Sequence, residues 1–276
     1  MSDFKSHYHY QLYRYEPSLA AAIVFIVIFA CTTVYHSYQL ATSRSWYFIP
    51  FTLGGVFQII GYVARAVACS HTRNVPIYSI QTVFILLAPP LYAASIYMSL
   101  GRIVSHLRAE GLSIVPLKWM TGFFVAGDVV SFLTQAAGGA IMATRNLHTF
   151  KTGEDITMAG LGVQLVFFTF FVFTAINFHR RYSFLSRTTQ DRTITRRNNI
   201  LHITYSWETV LWGLYIASVL ILIRSIFRLI EYSQGKGGYL ISHEVFMYVF
   251  DGTLLLFAML AMNVFHPSVI LSPRTE

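Results

Sequence analysis

Charge is what this chain has least of. Only 12% of its 276 residues are Asp, Glu, Lys or Arg, about half of the roughly 25% that soluble domains carry. Hydrophobic residues make up 55%, and the mean hydropathy is +0.53, which excludes a soluble globular protein. Cysteine is nearly absent. Cys31 is expected deep in the first apolar run and Cys69 at the outer end of the second, an arrangement that excludes a disulfide between them. Neither stands in a CxxC or Cys/His pattern, so no metal and no other cofactor is expected.

Motifs of catalysis are missing too. No GxxxxGK[ST] loop occurs, and Gln234-Gly235-Lys236-Gly237-Gly238 reads as an exposed turn, which excludes P-loop nucleotide hydrolysis. There is no GxSxG nucleophile elbow. His243-Glu244-Val245-Phe246-Met247 begins like HExxH but carries Met where the second imidazole must be. The chain is read as not an enzyme. Its first 17 residues hold no short apolar core followed by a small-residue cleavage site. The first apolar run is therefore expected to direct insertion and to remain in the mature chain.

What the chain has instead is long apolar runs. Near 18–40, 46–68, 77–105, 118–143, 157–179, 205–232 and 242–266 they reach the roughly 20 residues needed to cross a bilayer. The expected fold class is all-α: a polytopic membrane protein with a seven-transmembrane-helix bundle at 18–266. A segment at 1–17 precedes it, a basic loop at 180–204 lies within it, and a tail at 267–276 follows. Lys and Arg set the orientation. With the amino terminus outside, eleven of them face the cytoplasm and six the other side, and the loop holding Arg180, Arg181, Arg187, Arg192, Arg196 and Arg197 decides it. The carboxyl terminus is then cytoplasmic. Much of the net charge of +8 becomes a loop facing anionic lipid headgroups rather than nucleic acid. Trp46, Tyr78, Trp119, Tyr205 and Tyr239 stand where interfacial anchors are expected.

The few charges inside the spans are spaced like one face of a helix. Arg224, Arg228 and Glu231 in the sixth span and Glu244, Tyr248 and Asp251 in the seventh follow i, i+4, i+7, as do Gln58, Tyr62 and Arg65 in the second. In the fourth, Asp128, Ser131, Gln135 and Gly138 follow i, i+3, i+7, i+10. A charge at mid-membrane costs about 2.5–3.5 kcal/mol on insertion scales, so such residues line a cavity or pair with one another. The four stripes predict a single polar funnel from the outer face to the midplane. Gly54, Gly55, Gly61, Gly138, Gly139 and Gly160 allow helices to approach closely. Pro89 and Pro90 predict a kink in the third span that frees carbonyls near Leu86.

Read in order, these residues carry a resemblance. Gly61-Tyr62-x2-Arg65, Gln81-x3-Phe84 to Ala88-Pro89 with Ala93-Ala94-x2-Tyr97, Gly101-Arg102, Phe124-x3-Asp128 with Gln135-x2-Gly138-Gly139, Gly160-Leu161-x2-Gln164, Arg228-x2-Glu231 and Glu244-x3-Tyr248-x2-Asp251 together resemble the RTA1-like family of fungal membrane proteins. The resemblance runs from about Tyr15 to Pro267 and adds Gln164 to the expected ligand-binding residues. One departure stands out. Many members have Glu where this chain has Gln58, which keeps hydrogen bonding but removes a negative charge and leaves Arg65 dependent on carboxylates of other helices.

The resemblance implies export or translocation of sphingoid long-chain bases, resistance to toxic amphiphiles such as aminosterols, and in one branch porphyrin transport. The plasma membrane, or else a vacuolar or endosomal one, is the implied location. On the residues themselves, an ammonium would sit on Asp128, Glu244 or Asp251 and a carboxylate on Arg65, Arg224 or Arg228. The expected partners are membrane lipids and an amphiphilic small molecule. A seven-helix receptor for lipid-like ligands is the alternative, since seven helices and an outward cavity also describe sensors.

Overall fold

The computed structural model describes residues 17–70, 74–143, 147–188, 196–197, 204–235 and 238–271. The expected extracellular segment up to residue 16, much of the basic loop past Thr188 and the tail from residue 272 lie outside the described residues. Among those described, seven helices are long and apolar enough to cross a membrane. The chain is an all-α, multi-pass membrane protein.

The spans are α1 (Leu19–Ser43), α2 (Ile49–Ser70), α3 (Val75–His106), α4 (Leu117–Ala143), α5 (Leu147–Thr188) and α6 (Trp207–Ser233). The seventh span joins α7 (Glu244–Met247), a π-helical turn over Tyr248–Thr253 and α8 (Leu254–Val264). Local sequence sets several of the ends. Ser18 caps α1 by accepting the Ala21 N–H, and Asn74 does the same for Ile77 at the start of α3. Ser206 and Thr209 form a reciprocal capping box at the start of α6. Arg44 closes α1 in a left-handed conformation, its N–H bonded to Leu40 O.

One element departs from the hydropathy pattern. α5 runs 42 residues, far beyond 157–179, so the first part of the segment assigned as loop from residue 180 is helical. Hydropathy sees only the apolar centre of a helix, whereas backbone bonding continues through Lys, Glu and Arg, which are good helix formers. α3 continues through Pro89 and Pro90 without interruption. Farther on, Arg196–Arg197 pair antiparallel with Thr204–Tyr205.

The spans form a ring. α1 packs on α2, α2 on α3, α3 on α4, α4 on α5, α5 on α6, α6 on α8, and α8 returns to α1. α3 also reaches α6, so it passes through the interior. Its composition permits this, because Ala88, Ala93, Ala94, Ser95 and Ser99 are all buried and leave room for neighbouring backbones. Tyr92 of α3 fills the space left by Gly54 of α2, where a Cβ would lie 2.7 Å from its ring. α1, by contrast, is mostly exposed outside this bundle, as a lipid-facing helix is.

Candidate functional site

The polar stripes of α2, α6 and the seventh span close on one another. Arg65 is fully buried, and its Nη2 donates to Glu244 Oε1 at 2.8 Å while its Nε donates to Tyr248 OH at 2.9 Å. Arg224 Nε forms an ion pair with Asp251 Oδ1, with both side chains at most 3% exposed. Arg228 Nη1 donates to Glu231 Oε2 at 2.7 Å within α6. Three guanidinium groups thus face three carboxylates, and the cluster is electroneutral. Arg65 takes from the seventh span the negative charge that Gln58 does not supply.

The π turn divides the seventh-span stripe between two neighbours. It widens one turn, and Thr253 Oγ1 donates to Tyr248 O, five residues back, at 2.9 Å. Glu244 above the turn serves α2, and Asp251 within it serves α6. With about 1.5 Å of rise per residue, Asp251 lies roughly 10 Å deeper than Glu244. Gly252, next to Asp251, lies against the Tyr62 hydroxyl, and a Cβ there would also meet the Phe25 ring at 2.6 Å. Only glycine fits. The Tyr62 ring stacks among Phe25, Phe29 and Tyr248, with centroids 5.2, 5.6 and 6.1 Å away.

Beside these pairs sit polar atoms without partners. The Gln58 amide is fully buried, and neither its nitrogen nor its oxygen has a hydrogen-bond partner among the described residues. The same holds for Tyr62 OH and Arg224 Nη2. Buried polar groups are almost always satisfied, so unmatched donors and acceptors concentrated in one place set this cluster apart from an ordinary packed interior.

The α4 stripe is elsewhere. Asp128 accepts from Tyr97 OH of α3 at 3.0 Å. Ser131 Oγ donates to Gly160 O of α5 at 2.6 Å, and Gln135 Nε2 donates to Ser131 Oγ at 2.8 Å and to Gln164 Oε1 at 3.1 Å. The predicted single funnel therefore separates into two polar clusters. The cause is α3, which packs against α2, α4 and α6 and stands between them. Gln58, Tyr62, Arg65, Arg224, Arg228, Glu231, Glu244, Tyr248 and Asp251 belong to one cluster, and Asp128, Gln135 and Gln164 to the other.

Sequence reasoning passed over a third polar cluster. His36 Nδ1 is hydrogen-bonded to Asn263 Oδ1 at 2.6 Å, Gln39 Nε2 donates to Asn263 O at 2.9 Å, and the His36 ring lies 5.1 Å from that of His266. It ties the end of α1 to the end of α8. The available signal was His36 and Asn263 themselves, polar residues inside apolar runs. His266, read as a helix terminator, is buried and bonded through Nδ1 to Ser268 Oγ at 2.6 Å just past the end of α8. Both cysteines are free.

Comparison with known proteins finds relatives along most of the chain. The family profile described as RTA1 like protein matches residues 51–274. Among relatives from Saccharomyces cerevisiae, Protein RTM1 is 38% identical over 96% of this chain and 94% of its own length. Protoporphyrin uptake protein 1 is 36% identical over 92% of this chain and 91% of its own. The sphingoid long-chain base transporter RSB1 is 24% identical over 94% of this chain and 74% of its own. No solved structure matches. With most of its length covered by the family profile and by two relatives above 30% identity, this chain belongs to the RTA1-like family.

Proposed function

We propose that this protein moves amphiphilic lipids across a membrane, holding the polar head in the cluster formed by α2, α6 and the seventh span. A relative named as a sphingoid long-chain base transporter and another named as a protoporphyrin uptake protein support a lipid-related transport role. The observation that carries the reading is the set of unmatched atoms on Gln58, Tyr62 and Arg224 beside a charge-balanced cluster. Such a cluster suits a head group rich in hydroxyl and amide-like donors and acceptors, because no net charge on the protein opposes its entry. The tail would follow the aromatic faces of Phe25 and Phe29 or the surrounding lipid.

The reading assigns the chain no catalytic step and no nucleotide hydrolysis. Its driving force would be the substrate gradient, a proton gradient or a partner pump. The amino terminus is taken to face outward, so that the Glu244 end of the cluster opens away from the cytoplasm. Purified protein reconstituted into vesicles tests the proposal with a fluorescently labelled sphinganine. Acceleration of its transbilayer movement over protein-free vesicles is expected. Binding of the probe without acceleration would overturn translocation in favour of a sensor.

A further inference from the structure

Outside that cluster the stripes bury one more acid. Asp128 is 4% exposed, and it differs from Glu231, Glu244 and Asp251 in one respect: each of those faces an arginine. Asp128 has no basic partner among the described residues, and the hydrogen bond it accepts comes from the Tyr97 hydroxyl. From α3 and α5, the elements packed on α4, Tyr97 is the titratable group in contact with it. The Tyr97 ring itself sits among Phe124, Phe168 and Phe171, with centroids 5.3, 6.1 and 4.5 Å away, and all four rings are buried. Two turns along the same stripe, Gln135 Oε1 is buried and accepts no hydrogen bond.

A phenolic hydroxyl supplies a hydrogen bond but no charge. A carboxylate left alone in apolar surroundings is among the most unfavourable groups a bundle can hold. Since no described residue supplies the missing positive charge, a proton would carry it in one state and a cation in another. A hard metal ion gathers about six oxygen ligands, and a single carboxylate among phenyl rings does not provide them. An ammonium on an alkyl chain fits better, since it needs one counter-charge, tolerates aromatic faces and brings its own apolar tail.

We propose that Asp128, with Tyr97 as its hydrogen-bond donor, is a binding site for one primary ammonium group that exchanges there for a proton. The neutral acid releases its proton to water as the ammonium docks on the carboxylate, and it recovers a proton when the ammonium leaves. Tyr97 donates to the carboxyl oxygen in both states. The site is separate from the charge-balanced cluster and does not rest on the translocation reading, because binding and proton release are measurable without transport.

The test uses the full chain in lipid nanodiscs with dodecylammonium as the probe. Dicyclohexylcarbodiimide, which reacts with protonated carboxyl groups in apolar surroundings, should label Asp128 as read by peptide mass, and dodecylammonium should protect it. In weak buffer, binding of the probe should release about one proton per chain. Asp128→Asn keeps an acceptor for Tyr97 and should fold, yet bind the probe at least roughly tenfold more weakly and release no proton. Tyr97→Phe removes only the donor and should retain proton release with weaker binding. Unchanged probe affinity in Asp128→Asn, or an Asp128 in the native protein that the carbodiimide never labels, would overturn the proposal. The labelling result stands even if the Asn variant fails to fold.

Discussion

Arg65 and Glu244 stand 179 positions apart in sequence and meet at 2.8 Å. The same carboxylate accepts the Ser18 backbone N–H with both oxygens, at 2.9 and 3.0 Å. One acid thereby ties the start of α1, the end of α2 and the start of the seventh span. Arg65 is fully buried and Glu244 is 14% exposed, so the pair lies at the mouth of the cluster.

Glu244→Gln preserves hydrogen bonding but strips the counter-charge from a buried guanidinium. Removing one partner of a buried ion pair costs about 3–5 kcal/mol. Thermal denaturation in detergent should show a loss of that order. Adding Arg65→Met should recover part of it, and additive losses would mean the two residues are not coupled.

Arg224 and Asp251 separate stability from function. Asp251→Asn should destabilise the bundle by a similar amount, for the same reason. The double variant Arg224→Met, Asp251→Leu should regain stability, because well-packed apolar residues commonly replace a buried pair without loss. Vesicle transport should stay impaired in that double variant. Native transport in it would confine the pair to a structural role.

Gln58 offers the sharpest contrast. Its amide is buried with neither atom partnered among the described residues, and an unsatisfied buried amide costs about 1–3 kcal/mol. Gln58→Leu should therefore leave the protein as stable or raise its unfolding free energy by about that amount, while transport falls roughly tenfold, the equivalent of 1.4 kcal/mol. A variant that transports normally would remove Gln58 from the site.

Two adjacent glycines test the α4–α5 contact. A Cβ at Gly138 would lie 2.5 Å from Gly153 O and 2.7 Å from Thr157 N, both backbone atoms, whereas one at Gly139 meets nothing within 4 Å. Gly138→Val should cost about 1–3 kcal/mol or more through overpacking. Gly139→Val should leave the thermal midpoint nearly unchanged, and equal shifts would contradict the packing.

Much of this protein was legible residue by residue. Seven apolar runs, the scarcity of charge and the ordered motifs around Tyr62, Arg65, Asp128 and Asp251 are local properties of the chain, and they determine a seven-helix membrane protein of one family. Helical spacing alone placed the polar residues on shared faces. Hydropathy missed the true length of α5, because polar ends bond their backbone as readily as apolar centres do.

What spacing cannot say is which face meets which. Seven helices in a ring can turn their stripes toward one funnel or toward separate neighbours, and periodicity is the same in both. The tertiary structure decided it by running α3 through the interior, between the Asp128 stripe and the arginines. The π turn, invisible to hydropathy, then assigned Glu244 to Arg65 and Asp251 to Arg224. Charge balance was thus written in the sequence as a composition, but which acid kept its arginine, and which is left with a tyrosine as its partner among the described residues, depended on packing.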